Sequence, residues 1–386
     1  MARLAVLGAV AVAWLGLTDG DGARCGDLEK ALDVAMEGAM SGGLLAGGVV
    51  SVGSREGILI TKAYGRRWGG ASAESLNTGA VFDLASLTKV VATAPSVMKL
   101  AAEGRLVLND PLGKWFPEVK GTGAQRVEVR DLLTHTSGLR DFRIAGERPL
   151  DAALRGVARQ GAGGLVRGQF RYADINFILL GELVRRVSGV PLNQYAKESF
   201  YGPLRMTDTG FLPGPELWTR CVPTAGGSGQ VAVGRVQDPV ARQFGGVAGH
   251  AGLFGTIGDL GRFARMLLGL GELEGTRVLT ESTVRLMIAP RPFGGGTVRS
   301  LGWDVSSAYS SPRIDAFTAD SFGHTGYTGV SIWLDPGLDT FVILLGSRLE
   351  YRRTRAFNQL RADISSAVAS DMAARRVPSG AAQPGG

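Results

Sequence analysis

Cysteine and histidine are scarce in this chain. Only Cys25 and Cys221, and only His135, His250 and His324, occur in 386 residues. Two cysteines exclude a disulfide scaffold and a cysteine-built zinc cluster. The histidines show no His-x-x-x-His spacing, so no metal site and no metal cofactor is expected. Long apolar runs are also absent: the longest, Leu4 to Leu17, is too short to span a bilayer comfortably. Neither sign of charge dominates, and the net charge of +7 is modest for this length. The densest basic stretch, Arg348 to Arg361, alternates with Leu349, Phe357 and Leu360, which predicts the solvated face of a terminal amphipathic helix. No aromatic-interleaved basic motif accompanies it, so no nucleic-acid partner is expected.

What the chain has in abundance is glycine, 58 residues of it, alongside a globular balance of 45% hydrophobic and 20% charged residues. The glycines form turn-like clusters without a period, which excludes a collagen or repeat array. The cluster Gly245 to Gly252 fits neither G-x-G-x-x-G nor a P-loop, so no nucleotide cofactor is expected. At the N-terminus, Arg3, the apolar run and the small residues Gly20 to Ala23 have the layout of a secretory signal over residues 1–23. Export to the periplasm or medium follows, with membrane contact only in passage. If the protein is exported, Cys25 and Cys221 have the chance to pair, although no feature of the sequence brings them together.

Apolar spacing predicts a helix over Asp27 to Met40, then a hairpin of strands Gly47 to Val52 and Gly57 to Tyr64. A helix beginning at Ser86 is expected to run to about Ala102 with a kink at Pro95. Helices follow over Ile175 to Val187 and Asp259 to Leu268, the latter capped by Thr256 or Asp259. Strand character returns at Leu301 to Trp303, Ser321 to His324, Gly329 to Leu334 and Thr340 to Leu345. A last helix covers about Arg353 to Ala374, before a low-complexity, disordered tail over 377–386. Strands at both ends with helices between predict an α+β fold: an antiparallel sheet built from both chain ends, with terminal helices and an inserted, mainly helical domain. The α/β part is placed at about 27–90 and 297–374, and the insertion at about 91–296, within a catalytic region of 24–376.

The chemistry concentrates at Ser86-Leu87-Thr88-Lys89. Residues i and i+3 share a helix face, so the Lys89 ammonium reaches the Ser86 hydroxyl. A lysine in apolar surroundings has a lowered pKa and helps take the proton that a serine must lose to become a nucleophile. Buried alone, such a pair is equally a structural lysine. Tyr172-Ala173-Asp174 adds a tyrosine that, beside a cationic lysine, is held partly as phenolate and acts as a general base. Gly323-His324-Thr325-Gly326-Tyr327 enters a late strand, where Gly326 lets backbone approach a substrate. The N–H groups of Ser86 and Tyr327 would there form an oxyanion hole. His135 and His250 lie in glycine- and serine-rich turns, where an imidazole usually satisfies backbone carbonyls, and His250 is a further candidate for the cleft wall.

Taken in this order, the motifs resemble those of the serine β-lactamase and penicillin-binding superfamily. The branch is the one that holds class C β-lactamases, D-alanyl-D-alanine carboxypeptidases and related esterases. Leu132 to Leu139 and Gly245 to Phe254 extend the resemblance, which covers about Leu28 to Ala367. It implies that Ser86 is the acylated nucleophile, Lys89 its proton partner and Tyr172 the general base. It also implies that His324 and Thr325 contact substrate. Two residues depart from the family pattern. Asp174 replaces the usual Asn with an anion that would repel an acidic substrate group but can pair with Lys89 and hold it charged. His324 replaces a common Lys and weakens attraction for a substrate carboxylate. Both changes favour an exported esterase or carboxypeptidase-like hydrolase of small acyl or D-amino-acid peptide substrates over a β-lactamase. The alternative of another class is a non-catalytic protein that binds peptidoglycan fragments.

Overall fold

The computed structural model describes residues 19–69, 73–225 and 231–376. Most of the expected signal, the whole tail and the side chain of Cys25 lie outside the described residues. Helix α1 (Asp19–Ser41) leads into strands β1 (Leu45–Gly53) and β2 (Ile58–Gly65), an antiparallel hairpin as expected. The chain then leaves the sheet for a mainly helical region that includes α2 (Ala94–Ala102), α3 (Asp174–Ser188) and α4 (Ile257–Leu268). It returns through β3 (Arg291–Pro292), β4 (Val298–Arg299), β5 (Asp304–Ser306), β6 (Phe322–Thr325), β7 (Val330–Asp335) and β8 (Thr340–Arg348), and closes with α5 (Thr354–Arg376). The sheet runs β3-β4-β5-β6-β7-β8-β1-β2, antiparallel throughout. Its centre is therefore the junction of the two chain ends, with Val49 opposite Leu345 and Val50 opposite Leu344.

Alternation along the central strands explains why both faces are covered. Val50, Val52, Val342, Leu344 and Trp333 point to one side and meet Leu28, Leu32 and Met36 of α1 and Phe357, Leu360, Ile364 and Val368 of α5. Val49, Ile343, Leu345, Val330 and Ile332 point to the other and join the core of the helical region. The spacing of Leu28, Leu32 and Met36 puts all three on one stripe of α1. Each such side chain contributes about 1.5–3 kcal/mol by leaving water.

Three local features differ from the expectations. The segment after Ser86 is not one kinked helix. A 3₁₀ turn (Ala85–Leu87) and a π-helical turn (Lys89–Thr93) precede α2, and Pro95 falls in the first turn of α2, where its missing N–H disturbs nothing. No strand forms over Leu301 to Trp303, and β5 begins just beyond it. The basic stretch is solvated only in part: Arg352, Arg353 and Arg355 are exposed as expected, but its two ends are not. Arg348 and Arg361 are buried, because their guanidinium groups stack on Phe357 and donate to backbone carbonyls, Arg348 at Tyr327 and Tyr351 and Arg361 at Gly326 and Val330. Burial and the neighbouring Arg348 bring the Arg361 guanidinium down to about 9. The last two helices match expectation closely, and Thr256 is the cap of α4, its Oγ1 accepting the Asp259 N–H at 3.3 Å. Among the described residues no helix is long and apolar enough to cross a membrane.

Candidate active site

Ser86 is presented by a strained turn. The short pairing of Phe82–Asp83 with Phe254–Gly255 brings the chain to the helical region, and Ala85 then adopts φ +44°, left-handed for a residue with a side chain. Such a conformation costs roughly 1–2 kcal/mol and needs support. It receives it from three directions. Asp83 Oδ1 accepts the Ala85 N–H at 2.9 Å, Thr88 Oγ1 donates to Ala85 O at 2.7 Å, and Thr328 Oγ1 donates to Asp83 O at 2.7 Å. The late strand is close as well. A Cβ on Gly326 would meet Val330 Cγ2 at 2.4 Å and Leu84 O at 3.0 Å, so the glycine lets this strand lie against the Ser86 turn. That packing role is added to the substrate approach expected of it.

Ser86 Oγ accepts from Lys89 Nζ at 2.9 Å and from the Tyr172 hydroxyl at 3.1 Å. Lys89 is fully buried, and its ammonium is saturated by Ser86, by Asp174 Oδ1 at 2.7 Å and by His250 O at 3.1 Å. Burial opposes the charge, but Asp174 and Tyr172 outweigh it, so the Lys89 pKa lies above the ordinary lysine value. The lowered pKa that an apolar site alone would produce is thus reversed by Asp174, as the Tyr-x-Asp departure anticipated. Burial, reinforced by Asp174, also raises the Tyr172 phenol despite Lys89. At rest the tyrosine is a neutral donor, not the partial phenolate expected beside a cationic lysine, because burial outweighs the Lys89 charge. Asp174 itself is held below the usual carboxylate range, since Lys89 more than offsets its burial.

His324 Nδ1 donates to Thr325 O at 2.8 Å, which fixes the tautomer and leaves Nε2 an acceptor. Burial, then Arg299 and Lys89, hold its pKa well below the ordinary histidine value, so the ring is neutral. His324, Thr325, Gly326 and Tyr327 line one cleft of about 920 Å³ together with Ser86, Tyr172 and Asp174. Ser86, Tyr172, Asp174 and the late-strand candidates therefore surround a single cleft, with Lys89 just behind it. Among the described residues the Tyr327 N–H makes no hydrogen bond.

Among the other cleft residues, Arg299 and Asp238 carried no signal in the sequence, whereas His250 lines the cleft as its candidacy for the wall anticipated. Arg299 ends β4 and faces Asp304 on β5, with Nη1 3.1 Å from Oδ1. It is buried, yet its Nε and Nη2 have no hydrogen-bond partner among the described residues. His250 bonds through Nε2 to Asp238 Oδ1 at 3.0 Å, not to a backbone carbonyl as expected. Burial would raise the Asp238 carboxyl, but His250 brings it down to about 2. His135 also departs from expectation: its Nδ1 accepts the Ala173 N–H at 3.2 Å. Asp174, Asp238 and His250 offer donor atoms within 4.8 Å of one another. Two of these groups are already paired, Asp174 with Lys89 and Asp238 with His250. Cys221 is buried with its thiol pushed up to about 11, and has no disulfide partner among the described residues.

Comparison with known proteins points one way. The family model described as Beta-lactamase matches residues 32–364. A putative D-alanyl-D-alanine carboxypeptidase of Escherichia coli (strain K12) is 28% identical over 307 residues, 70% of each chain. Among solved structures, a penicillin-binding protein homologue from Caulobacter crescentus superposes with TM-score 0.71 at 20% identity, covering 89% of this chain and 97% of its own. A β-lactamase/D-alanine carboxypeptidase from Pseudomonas syringae gives 0.70 at 17% identity, covering 87% and 98%.

Proposed function

The chain belongs to the beta-lactamase family and is a serine hydrolase of the penicillin-binding superfamily, and we propose that it is exported and works through an acyl-enzyme on Ser86. The observation that carries the mechanism is the position of Ser86 Oγ, within hydrogen-bond distance of both Lys89 Nζ and the Tyr172 hydroxyl. The reactive form is the Tyr172 phenolate, which accepts the Ser86 proton as Oγ attacks the substrate carbonyl carbon. The N–H groups of Ser86 and Tyr327 hold the oxyanion. As the C–N or C–O bond breaks, Tyr172 returns the proton to the leaving group. Water then attacks the acyl carbon, Tyr172 takes its proton and passes it to Ser86 Oγ as the acyl–oxygen bond breaks, and the acid leaves with Ser86 and the Tyr172 phenolate restored. Lys89, kept charged by Asp174, stabilises each anionic stage.

The substrate is a small ester, amide or D-amino-acid peptide. A carboxypeptidase-like reaction on an acidic substrate is favoured by Arg299, whose buried Nε and Nη2 sit unpartnered in the cleft wall, a bidentate match for a carboxylate. A β-lactamase is the second reading, since a penicillin also carries a carboxylate. Export is supported by the signal-like layout of residues 1–23.

The test is intact-mass spectrometry of wild type and Ser86→Ala after brief exposure to a penicillin, with loss of the drug followed in parallel. A persistent adduct on the wild type alone is expected. Rapid drug loss without an adduct would establish the β-lactamase reading instead. Equal hydrolysis by both proteins, on penicillin, esters and D-amino-acid peptides alike, would overturn the serine mechanism.

A further inference from the structure

The ring of Tyr172 does not stand alone over Ser86. His135 stacks on it with centroids 4.4 Å apart and planes 28° apart, and Tyr309 packs against it at 5.0 Å and 31°, the two making no ring contact with each other among the described residues. Phe170 meets both of these rings edge-on at 6.3 Å. The His135 ring is fully buried and doubly anchored, its Nδ1 accepting the Ala173 N–H at 3.2 Å and facing Asn176 Nδ2 at 3.2 Å. Asn176 is in turn held by the Ser137 hydroxyl at 2.6 Å. The Tyr309 ring is 49% exposed and borders the cleft. It belongs to a turn tied back to the sheet: the Tyr309 N–H donates to Ser307 Oγ at 3.1 Å, and the Ser307 hydroxyl donates to Asp304 Oδ2 at 3.0 Å.

We infer that His135 and Tyr309 are positioning residues that clamp the Tyr172 ring between them, holding the phenol on Ser86 and keeping water off it. The inference rests on the reading of Tyr172 as the proton acceptor. A phenol has one torsion that swings its oxygen across a site, and a ring packed between two others loses that freedom. A misplacement of about 1 Å at a proton-transfer partner costs on the order of 100-fold in rate. Among the described residues, the ionisable groups around the phenol are Lys89 and Asp174 beside it, His324 with its ring 6.1 Å away, and His135 and Tyr309 packed against it, with Arg299 acting on both histidines. Of these, Tyr309 alone is half open to solvent and replaceable without disturbing the core.

The experiment measures kcat and KM for p-nitrophenyl acetate between pH 6 and 10 in wild type, Tyr309→Ala, Tyr309→Phe and Tyr172→Phe. Removing the Tyr309 ring is expected to lower kcat about 10- to 100-fold with KM within about 3-fold. It is also expected to move the rise of kcat with pH to lower pH, because water on the ring face favours the phenolate. Tyr309→Phe, which keeps the ring, is expected to restore the wild-type pH limb. A Tyr309→Ala enzyme with unchanged kcat and pH limb overturns the clamp, and so does one altered in KM alone, which would make Tyr309 a substrate contact. Full activity of Tyr172→Phe would instead overturn the reading of the base, an outcome separate from either. Histidine variants at position 135 are a weaker probe, because a buried, doubly anchored ring also serves the fold.

Discussion

Asp174 Oδ1 lies 2.7 Å from Lys89 Nζ, so the lysine beside Ser86 is half of an ion pair. This pair sets the proton affinity of the site. Asp174 raises both the Lys89 ammonium and the Tyr172 phenol, which places the phenolate of the proposed base at alkaline pH. In Asp174→Asn both pKa values fall. A base that loses its proton at lower pH is active at lower pH, so the rise of kcat/KM moves toward acid. The rate at pH 7 then increases, by about 10-fold for every pH unit that the limb moves. A pH–rate profile of the variant checks this, and an unmoved limb would separate Asp174 from the base.

Arg299 recognises a carboxylate if the cleft takes acidic substrates. Removing it alone would strand the buried Asp304, so the informative variant is Arg299→Gln combined with Asp304→Asn. KM for a D-amino-acid peptide with a free C-terminal carboxylate is expected to rise about 10- to 100-fold, matching the roughly 1.5–3 kcal/mol of a charge-assisted hydrogen bond. KM for a neutral ester is expected to stay within about 2-fold. Equal effects on the two substrates would deny Arg299 that part.

Asp83 supports the Ser86 turn from a buried position, and burial pushes its carboxyl up to about 6. Its unfolded value is near 3.8. A group whose folded pKa is raised contributes stability that is complete below the unfolded value and lost as pH climbs through the folded one, here between about 4 and 6. From pH 5 to pH 7 the wild type should lose about 1 kcal/mol on this account, a loss absent in Asp83→Asn. Urea unfolding of both proteins at the two pH values measures the double difference.

Gly249 faces α3 at a distance that only glycine permits. A Cβ there would stand 1.9 Å from Phe177 O and 2.8 Å from Gly181 N, both backbone atoms. Gly249→Ala is therefore expected to destabilise the fold by about 3 kcal/mol or more. It should also lower kcat, because the next residue lends its carbonyl to Lys89. Thermal unfolding and activity assayed on the same preparation check both effects.

Much of this molecule is legible before folding, and the reason is periodicity. Val49, Val50 and Val52 alternate between faces, as do Phe341 to Leu345, and that two-residue beat marks the central strands. Ser86, Lys89, Tyr172 and His324 are legible because short motifs carry their order along the chain. What escapes is whatever tertiary partners decide. Arg348 and Arg361 sit on an amphipathic pattern that predicts solvent, yet backbone carbonyls and Phe357 draw them inward. Arg299, Asp238 and Tyr309 have no local motif, because each owes its place to strands or loops distant in sequence. The irregular turn at Ser86 escapes for the same reason, since Thr328 and Asp83 shape it from outside the helix pattern.

Because β1 pairs with β8, the central seam of the sheet joins residues near the start of the chain to residues near its end. Contacts of such long sequence separation form late. During synthesis the Ser86 segment emerges long before β6 to β8 and α5, and so before Gly326 and Tyr327 can close over it. The cleft is therefore expected to stay incomplete until the last strands join the sheet, and a chain that ends before Gly326 would carry Ser86 without the wall that closes over it.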